Sequence, residues 1–129
     1  MHRGKTFVVG LTGEAIEAGK LANIATDLAL IQSMGVKIVL VHGFRPQVNE
    51  QLRAKGHEPR YSHGHRITDE SALDAAQEAA GQLRYEIEAA FSQGLPNTPM
   101  AGSKVRVISC NFITARPMGI IDGVDFKHT

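Results

Sequence analysis

The sequence contains no tryptophan, two tyrosines and five phenylalanines in 129 residues, so its core has to be built from aliphatic side chains. It has one cysteine, Cys110. That leaves no internal disulfide to staple a small fold and makes a reducing cytoplasm the expected compartment. A surplus of charge is missing too: 14 Lys plus Arg against 13 Asp plus Glu give +1, with the six histidines neutral. Nucleic-acid binding rests on clustered excess Lys and Arg, and this near balance argues against it. No apolar run approaches the roughly 20 residues that cross a bilayer. The start, Met1-His2-Arg3-Gly4-Lys5, leads into only about five apolar residues, too few for a secretory signal. Neither a nucleic acid nor a membrane is therefore an expected partner. What is present, 43% hydrophobic and 21% charged residues, is the composition of a folded globular chain.

Thr6-Phe7-Val8-Val9-Gly10-Leu11 is short and β-branched and is ended by Gly13. Being apolar on both faces, it predicts a strand buried on both. Leu21, Ile24, Ala25, Leu28 and Ile31 then recur on one face of a helix that Met34-Gly35 closes. Val36-Lys37-Ile38-Val39-Leu40-Val41-His42 predicts a second buried strand. Gly43 to Pro46 form its exit turn, and Pro46 suits the first turn of a helix running to about Lys55-Gly56. Strand, helix, strand and helix in this order predict a βαβ unit on a parallel sheet. Such sheets bind ligands beyond the carboxyl ends of their strands, which points to Gly10–Gly13 and His42–Pro46.

Residues 56–68 read as a loop with one short edge strand, and Thr68 or Asp69 as the cap of the next helix. The expected inward face of that helix is Leu73, Ala76, Ala80, Leu83, Ile87 and Phe91. Val105–Ser109 and Phe112–Ala115 predict two more strands. Pro117, Gly119 and Asp122-Gly123 mark turns. Val124–Thr129 reads as a strand just starting, so the expectation is a chain that stops inside a domain.

Two phosphate-binding patterns fail here. Gly10-Leu11-Thr12-Gly13 lacks the third glycine of a dinucleotide fingerprint. Gly13 and Gly19-Lys20 lie one residue too far apart for a phosphate loop, with Leu21 where Ser or Thr is needed. A tight strand-to-helix turn explains these glycines as well. In His42-Gly43-Phe44-Arg45-Pro46-Gln47, a guanidinium sits at a strand end beside a helix start. That suits a carboxylate receptor as well as it suits a plain surface arginine. Arg66 either points into the same crevice or pairs with Asp69 or Glu70. His57, His63 and His65 lie close together but lack the Cys or carboxylate ligands of a zinc site, so no metal site is expected. Cys110, between two apolar runs, reads as buried and inert. Turn chemistry accounts for Asp122 and Asp125.

Taken together, Thr6–Ile16, Val39–Gln47 and Arg66-Ile67-Thr68-Asp69 resemble the opening strand, second glycine turn and substrate-side arginine motif of the amino-acid kinase family. Asn111–Gly119 and Gly123–Thr129 narrow the resemblance to the bacterial N-acetylglutamate synthases. The resemblance implies an α/β three-layer αβα sandwich with a mainly parallel sheet, of which residues 1–129 are the N-terminal portion. A C-terminal acetyltransferase domain would lie outside them.

The resemblance also implies departures. Active kinases of the family carry a lysine at the position of Gly10 and then paired glycines, where this chain has Thr12 and Gly13. Without that cation nothing there neutralises a transferred phosphoryl group. Phe44 and Arg45 replace two glycines of the kinases' second turn. A kinase fold without kinase chemistry is implied, with Gly10, Gly13, Gly43, Arg45 and Arg66 as substrate-crevice candidates and none of them catalytic.

By the same resemblance, acetyl-CoA is the co-substrate and L-glutamate the acceptor of the full-length enzyme. L-arginine is a feedback effector, bound mostly outside these residues, and the assembly is a homo-oligomer. This portion needs no cofactor of its own. A free-standing amino-acid-binding module and an acetylglutamate-kinase-like phosphotransferase are the alternatives.

Overall fold

The computed structural model describes residues 2–92, 105–109, 120–121 and 124–125. The chain divides into two compact units, one of residues 1–43 and 83–108, the other of residues 44–82 and 109–129.

In the first unit, β1 (Thr6–Leu11) and β2 (Lys37–His42) pair in parallel, in register from Thr6 with Lys37 to Leu11 with His42. Between them lie α1 (Gly13–Glu17) and α2 (Leu21–Ser33). The expected βαβ unit therefore forms, with an extra helical turn, α1, at its start. That turn has a local cause: Thr12 Oγ1 accepts the Ala15 N–H at 3.1 Å and satisfies one of the donors a helix start leaves open. α2 ends at Met34, and Gly35 follows at φ +86°, a left-handed conformation that glycine adopts without strain. The Arg3 stem lies against Gly35, where an added Cβ would come within 2.6 Å of it.

The core of this unit joins Ala25 and Leu28 of α2 to Ile87 and Phe91, with Val9, Ile38 and Leu40 of the sheet, and Val105 and Val107, packed against them. Each large aliphatic side chain buried in this way contributes about 1.5–3 kcal/mol. The opposite sheet face does not match the expected two-sided burial. Val8 is 71% exposed, and Val39 and Val41 beside it are exposed as well. An unbroken apolar run cannot distinguish one covered face from two, because strand side chains alternate and burial depends on which layers pack there. Among the described residues the helices cover one face of this sheet, so two of the three expected layers are seen.

Val105–Ser109 carries much of the in-out alternation of a strand and forms no ladder among the described residues. Alternation reports packing, whereas a strand also needs a hydrogen-bonding neighbour, and none of the described residues supplies one here. Phe112–Ala115, Cys110, Pro117, Gly119 and Asp122-Gly123 lie outside the described residues.

In the second unit, α3 (Arg45–Ala54) has Pro46 in its first turn and ends at Lys55, before Gly56 at φ +80°. The region read as a loop with one edge strand is a hairpin of β3 (Tyr61–Ser62) and β4 (His65–Arg66). Its two turn residues, His63 and Gly64, have φ +52° and +78°, the pairing of positive angles that matches the twist of a tight hairpin. α4 (Glu70–Ser92) follows; its first half belongs to this unit and its second half to the other. Asp69 is the cap: its Oδ1 accepts the Ala72 N–H at 2.9 Å. Thr68 is buried, and its hydroxyl donates to the Arg66 carbonyl.

The inward face of α4 is corrected in its first half. Ala72, Ala75 and Ala79 are buried against Val48 and Leu52 of α3, Leu73 and Ala76 are half-buried, and Ala80 is exposed. Leu83, Ile87 and Phe91 are buried as expected. Bulk favours Leu73 in a sequence pattern, whereas burial is decided by what packs opposite, and Val48 and Leu52 of α3 lie against the alanines. Lys55 Nζ and Glu78 Oε1 flank this seam at 2.7 Å, an ion pair exposed enough to add little. Further along, β5 (Ile120–Ile121) and β6 (Val124–Asp125) pair antiparallel, so Val124 does open a strand.

Candidate functional site

At the carboxyl ends of β1 and β2 the first unit brings Gly13 and Gly43 together. The Gly43 N–H donates to the Leu11 carbonyl at 2.9 Å and extends the pairing past β2. A Cβ on Gly43 would lie 3.5 Å from the Gly13 nitrogen, so the two turns are in van der Waals contact. Gly13 is buried as the first residue of α1. Gly10 lies on the sheet face of Val8 and Val41, and an added Cβ would meet nothing within 4 Å. The position is open, yet it carries no functional group.

The second unit brings Arg45 and Arg66 together. Both guanidinium groups lie over the Tyr61 ring, Arg45 at 5.0 Å and Arg66 at 4.8 Å from its centroid. The negative ring face attracts each cation. Asn49 Oδ1 accepts two hydrogen bonds of 2.7 Å, one from Tyr61 Oη and one from Arg66 Nη1. Arg45 Nη2 donates to the Gly64 carbonyl at 3.2 Å, and Arg66 Nη2 to the Arg45 carbonyl at 3.4 Å. Arg45 opens α3 and Arg66 closes the hairpin, so the cluster ties the two elements together.

Burial lowers the pKa of Arg66 from its ordinary value; the Arg45 charge lowers it further, while Tyr61 acts in the opposite sense. Arginine stays cationic throughout the physiological range, so two fixed positive charges are held beside one ring. The alternative pairing of Arg66 with Asp69 does not form; Arg60 takes Asp69, at 3.4 Å. Among the described residues no group of three His, Cys, Asp or Glu side chains is placed to hold a metal ion, and no helix is long and apolar enough to cross a membrane.

Tyr61 and Asn49 were not among the residues singled out from sequence. Asn49 stands four positions after Arg45, the spacing that puts two side chains on one helix face. Tyr61 stands directly opposite Arg66 across the hairpin. Reading His63-Gly64 as a two-residue turn exposes that pairing.

The profile of the amino acid kinase family matches residues 5–127. The chain belongs to this family. An amino-acid acetyltransferase of Ralstonia nicotianae is 56% identical over 127 residues, which are 98% of this chain and 28% of that protein. One of Photobacterium profundum is 52% identical over 99% of this chain and 29% of that protein. The N-acetylglutamate synthase of Neisseria gonorrhoeae, crystallised with coenzyme A and L-arginine, superposes with a TM-score of 0.81 at 39% identity. That match covers 97% of this chain and 29% of that one. The synthase of the same organism with coenzyme A and N-acetyl-glutamate superposes at 0.76, with 41% identity. This amino acid kinase family chain thus spans under a third of the length of the relatives it matches.

Proposed function

We propose that residues 1–129 are the N-terminal portion of the kinase-like domain of an N-acetylglutamate synthase, and that this portion regulates and builds the enzyme rather than performing its chemistry. The observation that carries the reading is Gly10. The family resemblance puts the phosphoryl-neutralising lysine there, and the backbone leaves that space open without filling it. Phosphoryl transfer depends on cations placed where charge develops. Arg45 is instead drawn to the Tyr61 ring and the Gly64 carbonyl, beside Arg66. Similarity to the amino-acid acetyltransferases supports the same reading.

In this proposal, acetyl transfer from acetyl-CoA to the L-glutamate amine takes place in an acetyltransferase domain beyond this portion, in the cytoplasm. L-arginine acts as the feedback effector, an idea supported by the arginine complex of the gonococcal synthase. Arg45 and Arg66 offer a receptor for a carboxylate, and Gly13 and Gly43 shape the strand ends. The assembly is a homo-oligomer, which light scattering of the natural-length protein checks.

The test is a pair of assays on the natural-length protein. Coenzyme A release from acetyl-CoA with glutamate, depressed by arginine, supports the proposal. ATP turnover with N-acetylglutamate overturns it. Gly10→Lys is expected to fold, because the space is open, and still to give no ATP turnover, since Phe44 and Arg45 remain in the second turn.

A further inference from the structure

Two separate apolar clusters hold α4. Its first half buries Ala72, Ala75 and Ala79 against Val48 and Leu52, and its second half buries Ile87 and Phe91 with Ala25 and Leu28. Gly81 stands between them, with Ala80 and Gln82 exposed on either side. The division of the chain into its two compact units falls one step further on, between Gln82 and Leu83.

Packing does not explain this glycine. An added Cβ would meet nothing within 4 Å among the described residues, and the helix needs no left-handed φ there. Alanine, already present at positions 79 and 80, would fit and would hold the helix better. Glycine has more backbone freedom to lose on folding and leaves its peptide groups open to water. What it provides inside a helix is a weak turn, the kind of place at which helices bend or open.

We infer that Gly81 is a joint in α4: the turn around it opens while each half of the helix stays anchored in its own cluster. A displacement at one cluster is then absorbed at the joint and is not carried along a rigid rod of 23 residues.

The experiment is hydrogen exchange of the natural-length protein, read by mass spectrometry on overlapping peptides of α4. Each helical N–H bonds to the carbonyl four residues before it, so opening at Gly81 frees the amides of residues 81–85. These amides are expected to exchange about tenfold faster than those of residues 75–79 and 87–90, once intrinsic rates are removed. Gly81→Ala is expected to slow them about fivefold, equivalent to about 1 kcal/mol, and to leave both flanks unchanged.

Uniform exchange along α4 in the parent overturns the joint. Slowing by Gly81→Ala that spreads equally over both halves overturns it as well, because the glycine then only weakens the helix as a whole. Protection of residues 81–85 beyond that of the flanks, or failure of Gly81→Ala to fold, overturns it in favour of a neighbour pressed against the glycine.

Discussion

Replacing Ala75 by leucine tests how α4 faces α3. Ala75 is fully buried in a cluster whose other members are Val48, Leu52, Ala72 and Ala79. Leucine adds three carbons at a position that is already fully buried. Burying those carbons favours folding by about 0.8 kcal/mol each, but forcing them into a filled seam displaces backbone and rotamers. Overpacked sites of this kind lose a net of about 1–3 kcal/mol.

Ala80→Leu is the paired control. The sequence pattern puts Ala80 on the inward face, and the structure exposes it. Alanine and leucine have similar helix propensities, and an exposed substitution shifts stability by no more than about 0.5 kcal/mol. Urea unfolding of the two variants separates the cases. With a slope of about 1–3 kcal/mol per molar, a loss of about 2 kcal/mol moves the midpoint of Ala75→Leu down by roughly 1 M. Ala80→Leu is expected to unfold within about 0.3 M of the parent. If Ala80→Leu is the more damaging of the two, α4 is rotated as its leucines suggested and the packing derived from the alanines is wrong.

Asp69→Ala removes the acceptor of the Ala72 N–H and is expected to cost about 1 kcal/mol, within a range of about 0.5–2, measured by urea unfolding. The same change removes the Arg60–Asp69 ion pair, which is exposed and adds little. Gly35→Ala places a Cβ on a left-handed residue and against the Arg3 stem. A loss of about 1–2 kcal/mol from the backbone is expected, visible as a lower melting temperature. An additional Arg3→Ala change is expected to leave most of that loss in place, since the stem is flexible and the φ angle is not.

Where one local cause was sufficient, the sequence could be read directly. Pro46, Asp69 and the Met34-Gly35 pair each mark a helix end through their own backbone chemistry, and α2, α3 and the order β1–α2–β2–α3 follow from them and from the apolar runs, while the short α1 that Thr12 caps was not anticipated. The strand-end glycines could be located for the same reason. The hairpin escaped notice because its strands are two residues long and its left-handed turn begins with a histidine, where asparagine, aspartate or glycine would be the usual signal. Arg45 and Arg66 stood out as cations at strand and loop ends, but the partner of each was hidden. Asn49 and Tyr61 carry no sequence signature that ties them to Arg66, 17 and 5 positions away.

By itself, then, this sequence determined the segments whose ends are written in cap and turn residues, and the family to which their order belongs. Tertiary structure alone decided which alanines of α4 turn inward, which face of the strands is covered, and that two arginines share one tyrosine. The reason is physical. Capping and turn formation are settled within four or five residues of chain, whereas helix packing, one-sided burial and the meeting of like charges depend on what lies opposite, and a periodic pattern records only that something does.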